Sequence, residues 1–303
     1  MKPLYLEISL KEIEERAEKL FERQFNCDLC PRNCKVDRSK NVGFCKTGID
    51  VRIASYNLHF GEEPPITGYN GSGTIFFSGC NLLCLFCQNY PISHLNSGNI
   101  YSFEELAEIM IKLQNEGAHN INLVTPTHVL PQFLKGLVIA IRKGLRIPIV
   151  WNSSGYEKKE VIEDLDGIVD IYMPDFKYAE EELSFKLSRA KDYFYWAKDA
   201  IKEMIRQVGN LVMDEDGIAL RGVLIRHLVL PGNVSNSKKV LKFIRDNFGK
   251  DVYLSLMSQY HPAYKTVNMP PFDRYIKGSE YREVLNYAIE IGLTNGYRQG
   301  VPL

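Results

Sequence analysis

Seven cysteines carry the chemistry that can be read from this sequence. They stand at Cys27, Cys30, Cys34, Cys45, Cys80, Cys84 and Cys87, and the last 216 positions have none. An odd number cannot pair completely into internal disulfides. The spacing splits them into Cys-x2-Cys-x3-Cys-x10-Cys and Cys-x3-Cys-x2-Cys. Clustered thiols in a reducing setting more often hold metal or act catalytically than form disulfides. Three thiolates on a short loop can ligate three corners of a cubane iron–sulfur cluster, which normally takes four cysteines, and so leave one iron open to a substrate. A zinc ion with a fourth ligand such as His94, or three buried thiols, are the alternatives at this point, although zinc fingers prefer paired Cys-x2-4-Cys spacings. The group of four can wrap one tetrahedral ion or one cubane.

The elements that must position these loops follow from the rest of the chain. At 303 residues, with 45% hydrophobic and 24% charged residues, it has enough material for a large core and is neither disordered nor fibrous. Lys plus Arg and Asp plus Glu are both 37, so no global field draws the chain to nucleic acid or to anionic lipid. No run approaches the roughly 18 apolar residues of a membrane span. The opening stretch lacks the apolar core and cleavage site of a signal peptide, which predicts a cytoplasmic protein.

Ser9-Leu10-Lys11-Glu12 reads as a capping box opening a helix that leads into the first cysteines. From residue 26 to about 70 the chain is rich in Cys, Gly, Pro and Asn with little periodicity, a segment that a metal could organise where a core cannot. Apolar runs that suit buried strands then appear at 74–77, 121–125, 148–151, 169–173, 222–230 and 251–257. Helical segments are expected at 103–115, 132–143, 158–165, 180–208, 238–248 and 280–291. Six strand–helix alternations imply a parallel α/β sheet, open or closed as a partial barrel. Asp214-Glu215-Asp216-Gly217 reads as a turn before the fifth strand. The expected organisation is a helix and four-cysteine segment over 1–70, a barrel over 71–265, and an extension with a helix over 266–303. Cys80, Cys84 and Cys87 directly follow the first barrel strand, where parallel folds place their chemistry.

Cys80-x3-Cys84-x2-Cys87, with Phe86 before the last cysteine, resembles the signature of the radical S-adenosylmethionine superfamily. That resemblance implies a partial (β/α)6 TIM-type barrel, a 4Fe–4S cluster on the three cysteines, and S-adenosylmethionine (SAM) chelated to the open iron. It further implies an oxygen-sensitive oxidoreductase that makes a 5′-deoxyadenosyl radical. Asp170-Ile171-Tyr172-Met173-Pro174-Asp175-Phe176-Lys177 is similar to a strand of the pyruvate formate-lyase activating enzymes that ends in Asp-x-Lys, which implies a role for Lys177 at the SAM carboxylate. Trp151-Asn152-Ser153-Ser154-Gly155 stands where those enzymes have Asp-Thr-Asn-Gly, implying cofactor contacts from Asn152 and Ser153. With Asn152 in place of the acid, a monovalent cation would have to rely on Ser153, Asp175 and the Met173 carbonyl. His261 stands where the family has a Tyr-His pair reaching the cofactor.

The family's Gly-Gly-Glu segment is replaced by Val124-Thr125-Pro126-Thr127-His128. Thr125, Thr127 and backbone carbonyls could still accept from the SAM ammonium group, and His128 could do so when neutral. Together with His59-Phe60-Gly61-Glu62-Glu63-Pro64-Pro65, the pattern resembles the PflX-like branch of activating-enzyme relatives.

Arg226 and His227 must point to opposite faces of the fifth strand, and the pattern does not say which faces inward. A second cluster or Zn2+ on Cys27, Cys30, Cys34 and Cys45 remains open. The implied partners are a reductant such as flavodoxin or ferredoxin and a protein or peptide substrate, as in glycyl-radical activation. A small-molecule substrate is the second option, and a zinc-stapled binding protein is the reading from another class. No residue is assigned as a catalytic acid, base or nucleophile.

Overall fold

The computed structural model describes residues 1–300. Its centre is six parallel strands: β2 (Ser72–Phe77), β4 (Ile121–Val124), β5 (Ile149–Ser153), β6 (Ile171–Pro174), β8 (Ala219–Leu228) and β9 (Tyr253–Met257), hydrogen-bonded in that order. These are the six apolar runs of the sequence. On one flank β1 (Val51–His59) pairs antiparallel with β2, and β3 (Asn99–Tyr101) pairs antiparallel with β1. On the other, β10 (Gly296–Arg298) joins β9 in parallel. A two-residue β7 (Val212–Met213) forms a hairpin with β8 through the Asp214–Gly217 turn, where the Asp214 carboxylate accepts from the Asp216 and Ile218 amides. The strand order runs from β10 to β3 without closing, so the barrel is partial and open at the side.

Residues 51–59, which the sequence groups with the cysteine-rich segment, are thus built into the sheet. Val51 and Ile53 are buried while the residues between and after them are more exposed, the period of a half-covered strand.

Helices cover the outside: α1 (Leu10–Glu22), α4 (Phe103–Asn115), α5 (Leu130–Arg142), α6 (Lys159–Glu163), α7 (Glu181–Ser188), α8 (Tyr193–Val208), α9 (Val234–Phe248) and α10 (Gly278–Glu290), with the short α2 (Pro64–Thr67) and α3 (Tyr90–Ser93) in loops. The Ser9 hydroxyl accepts from the Glu12 amide at the start of α1. Ser102 and Glu105 form a complete capping box on α4. The helix expected over 180–208 is two: α7 ends on Arg189 in the left-handed conformation, φ 50°, and α8 begins four residues later.

Strand alternation builds the interior in layers. At the bottom Ile66 of α2 packs with Val150, Ile171, Met173, Ala219 and Leu224. Two residues further along the same faces stand Asn152, Asp175 and Arg226, and above them the cysteine loop. An apolar plug below and a polar wall above therefore follow from one register.

Candidate functional site

One cavity of about 300 Å³ opens at the carboxyl ends of the parallel strands. It is lined by Cys80, Cys84 and Cys87 on one side and by Thr125, Asn152, Ser153, Asp175, Lys177 and Arg226 on the other. Seven sequence-derived candidates thus meet Cys80 in one place. Thr127 and His261 do not line it. The Thr127 hydroxyl donates to buried Glu157, 2.9 Å away, because the turn after β4 carries it behind the strand ends. His261 lies two residues beyond Gln259, which does reach the cavity, and its ring faces Tyr275 instead.

Each sulfur has a donor aimed at it. The Ser93 hydroxyl donates to Cys87 Sγ (3.1 Å), the Ser188 hydroxyl to Cys84 Sγ (3.2 Å), and the Leu82 amide to Cys80 Sγ (3.3 Å). Burial pushes the Cys80 thiol up to about 12, and the neighbouring Cys84 adds to it. Burial raises the Cys87 thiol as well, so as free thiols Cys80 and Cys87 stay protonated. Donors converging on sulfur suit thiolates that carry charge on a metal centre. Among the described residues no three His, Cys, Asp or Glu side chains close around a single-ion position. His94 turns Nε2 to the Cys84 carbonyl (2.9 Å), so it is not a fourth ligand. The three cysteines beside an open cavity fit a cluster with one iron facing inward.

Opposite the sulfurs stands a buried ionic wall. Arg226 Nε donates to Asp175 (2.9 Å), Nη2 to Asn152 Oδ1 (2.8 Å) and Nη1 to Glu62 (3.3 Å), with Glu63 at 3.7 Å. Lys177 Nζ donates to the other oxygen of Asp175. Burial alone would raise the Asp175 carboxyl, but Arg226 and Lys177 together hold it below its ordinary value. Glu62 shifts the other way: burial raises it despite Arg226, and it also accepts from Asn122 (3.0 Å) and Asn152 (3.3 Å). Two cations and several amide hydrogens at one end of the cavity can receive a carboxylate, while Glu62 presents an acceptor for an ammonium.

The oxygens expected of a monovalent cation are turned elsewhere. The Ser153 hydroxyl donates to Glu157, and Asp175 is shared between Lys177 and Arg226. His128 does not line the cavity either. Its Nε2 lies 2.7 Å from the Ser78 carbonyl, and burial lowers its pKa to about 4, which fixes a neutral ring beneath the cysteine loop. Thr125 sits at φ 58°, an outlier for a β-branched residue, and strain of this kind gathers at ligand-binding positions.

Sequence reasoning missed Glu62 as a cavity residue, along with His59, Gln88 and Gln259. Arg226 is the inward member of its pair. His227 lies outside the barrel, between the Phe176 carbonyl (2.6 Å) and the Ser237 hydroxyl (2.8 Å).

The four N-terminal cysteines neighbour one another and abut this loop. A Cβ on Gly43 would lie 3.5 Å from both Cys34 and Cys45 Sγ, and the Phe44 amide donates to Cys34 Sγ (3.3 Å). Burial raises the Cys30 thiol to about 12, with Cys45, Cys27 and Cys34 adding to it. The Cys80 amide donates to the Cys45 carbonyl (3.3 Å). Gly79 makes this approach feasible: at φ 85° its Cβ would lie 2.5 Å from that oxygen.

A family model described as the radical SAM superfamily matches residues 74–244, more than half of the chain. The chain belongs to the radical SAM superfamily. Membership implies an enzyme with a 4Fe–4S cluster and SAM, in agreement with the cavity's donors. Two uncharacterized proteins of Methanocaldococcus jannaschii are similar to this radical SAM chain along nearly all of it. One is 33% identical over 303 residues, covering 97% of this chain and 81% of the relative. The other is 25% identical over 311 residues, covering 94% and 84%. The structure of native anSMEcpe with bound AdoMet and Cp18Cys peptide has a similar fold, with TM-score 0.50 and 15% identity over 72% of this chain. The match spans only 60% of that protein's length. No helix here is long and apolar enough to cross a membrane among the described residues.

Proposed function

We propose that this radical SAM enzyme cleaves SAM reductively in the cavity and abstracts a hydrogen atom from a protein or peptide backbone, as in glycyl-radical activation. The observation that carries the reading is the meeting of Cys80, Cys84 and Cys87 with Lys177, Asp175, Asn152 and Arg226 around one cavity. Cys80, Cys84 and Cys87 would hold the cluster, which when bound and reduced would supply the one electron for cleavage of the SAM sulfonium and so the radical chemistry for hydrogen abstraction. In that scheme Lys177 binds the SAM carboxylate, while Asn152 and Ser153 orient the rest of the molecule. Thr125 and Glu62 receive its ammonium group.

Cavity size favours a macromolecular substrate. About 300 Å³ is the lower end of small-molecule sites, so with the cofactor inside the substrate would come to the open side of the barrel. The native anSMEcpe structure likewise holds a peptide together with AdoMet.

The test mixes reduced, reconstituted enzyme and SAM with candidate glycyl-radical proteins under anaerobic conditions and records electron paramagnetic resonance. A protein-centred radical formed with matching 5′-deoxyadenosine is the expected result. Persistent 5′-deoxyadenosine release without a protein radical across such partners would favour a small-molecule substrate. We further propose that Cys27, Cys30, Cys34 and Cys45 hold a second metal centre, a cluster or zinc, that stiffens the segment clasping the active loop.

A further inference from the structure

The chain is neutral overall, yet the outer wall of the three-cysteine loop is not. Two adjoining grooves run over that wall and share Lys46. One is lined by Phe44, Leu83, Leu85, Tyr264, Arg189 and Lys265, among others, and has no carboxylate. The other is lined by exposed Lys46 and by Arg52, with buried Arg38, with Lys40 paired to Asp37 (2.9 Å), and with Asp50 as its one lining carboxylate. Among the described residues, Lys46, Arg52, Arg189 and Lys265 form no ion pair, in a protein with 23 of them. Lys46 and Arg52 spend their hydrogens on the His94 and Gly98 carbonyls, which leaves their charges uncompensated. By contrast, both cations inside the cavity are paired with carboxylates.

The grooves lie one side chain away from the active sulfurs. Ser188, in the floor of the first, donates to Cys84 Sγ (3.2 Å), and His94 beside it bonds to the Cys84 carbonyl (2.9 Å). The Lys265 amide donates to the Leu85 carbonyl (3.1 Å), which fixes the rim to the loop. Phe44 sits between Cys34 and Cys45 and lines the same groove. Cys84 therefore has SAM-binding space on its inner side and a basic, partly apolar surface on its outer side.

We propose that this outer surface is the docking site of an acidic one-electron carrier protein, whose electron enters the cluster through the Cys84 side. The proposal rests on the radical SAM reading of the cavity. In each turnover the carrier is oxidised by one electron, and the cluster gains that electron and passes it to the sulfonium. Charge complementarity selects the partner: uncompensated lysines and arginines around Leu83, Leu85 and Phe44 steer an acidic protein and seat an apolar contact at the centre. A small reductant needs no such surface.

The test compares two electron sources, dithionite and reduced flavodoxin, by 5′-deoxyadenosine release from the reconstituted full chain. Arg189→Glu with Lys265→Glu reverses two exposed, unpaired rim charges away from the cavity. The KM for flavodoxin should rise by about tenfold or more, and in the unaltered protein it should rise with salt. The dithionite-driven rate should stay unchanged in both cases. An unchanged KM in the variant, or no turnover with flavodoxin where dithionite succeeds, would overturn the docking site alone. Failure with dithionite as well would overturn the reading of the cavity, and the docking site with it.

Discussion

His227 is fully buried on the outer face of β8, and burial lowers its pKa from 6.5 to about 4 although the Phe176 carbonyl opposes the shift. The folded protein therefore binds fewer protons there than the unfolded chain between pH 6.5 and 4. Stability from this residue is fully present above 6.5 and falls by about 1.4 kcal/mol per pH unit as the solution is acidified through that window. Asp170, raised to about 6 by burial, works in the opposite direction: its contribution is present below 3.8 and lost as pH rises through 6. Urea denaturation from pH 7 to 5 should show a His227→Gln variant losing less stability on acidification than the parent, and parallel curves would contradict this. At this scale the three cysteines were legible from their spacing after the first barrel strand, and Lys177 and Asp175 from the resemblance to a strand ending in Asp-x-Lys; all five line the cavity. Glu62 was not legible, since it comes from the loop after β1 and only tertiary packing carries it to Arg226. The choice between Arg226 and His227 needed the register of β8 against β6, where Ile171 pairs with Gly222.

Arg32 links the two cysteine groups at the level of elements. Its guanidinium donates to the carbonyls of Asn81 and Leu82 in the active loop and to those of Ser188 and Arg189 at the end of α7, and it stacks 3.8 Å over the Phe44 ring. The break between α7 and α8 exposes the carbonyls it uses. An Arg32→Lys variant keeps the charge but loses the planar fork. It should lose about 2 kcal/mol or more of stability and bind less iron at the active loop, read by urea denaturation and by iron content after reconstitution. Wild-type values for both would show that the clasp is incidental. The six central strands and the capped starts of α1 and α4 were readable from apolar runs and Ser-x-x-Glu pairs. The alternation Val51-Arg52-Ile53 of β1 is a strand signal as well, but it sits in a segment dominated by Cys, Gly and Pro. The α7–α8 break has no Gly or Pro to mark it, because Arg189 supplies the left-handed turn.

Across the whole molecule the sheet stays open at the side, and the N-terminal cysteines pack on the back of the active loop through Cys45 and Gly79. One surface of that loop faces the cavity and the other faces the basic grooves. The sequence's even charge balance conceals this division, which appears only when the fold brings Lys46, Arg189 and Lys265 together. The most direct measurement is 5′-deoxyadenosine release with dithionite and SAM by anaerobically reconstituted protein, alongside its Cys84→Ala variant and with iron analysis of both. The unaltered protein should carry a 4Fe–4S cluster and release 5′-deoxyadenosine, while the variant should release none and lose the iron of that cluster. Undiminished cleavage by Cys84→Ala, or zinc without iron in the unaltered protein, would contradict the account.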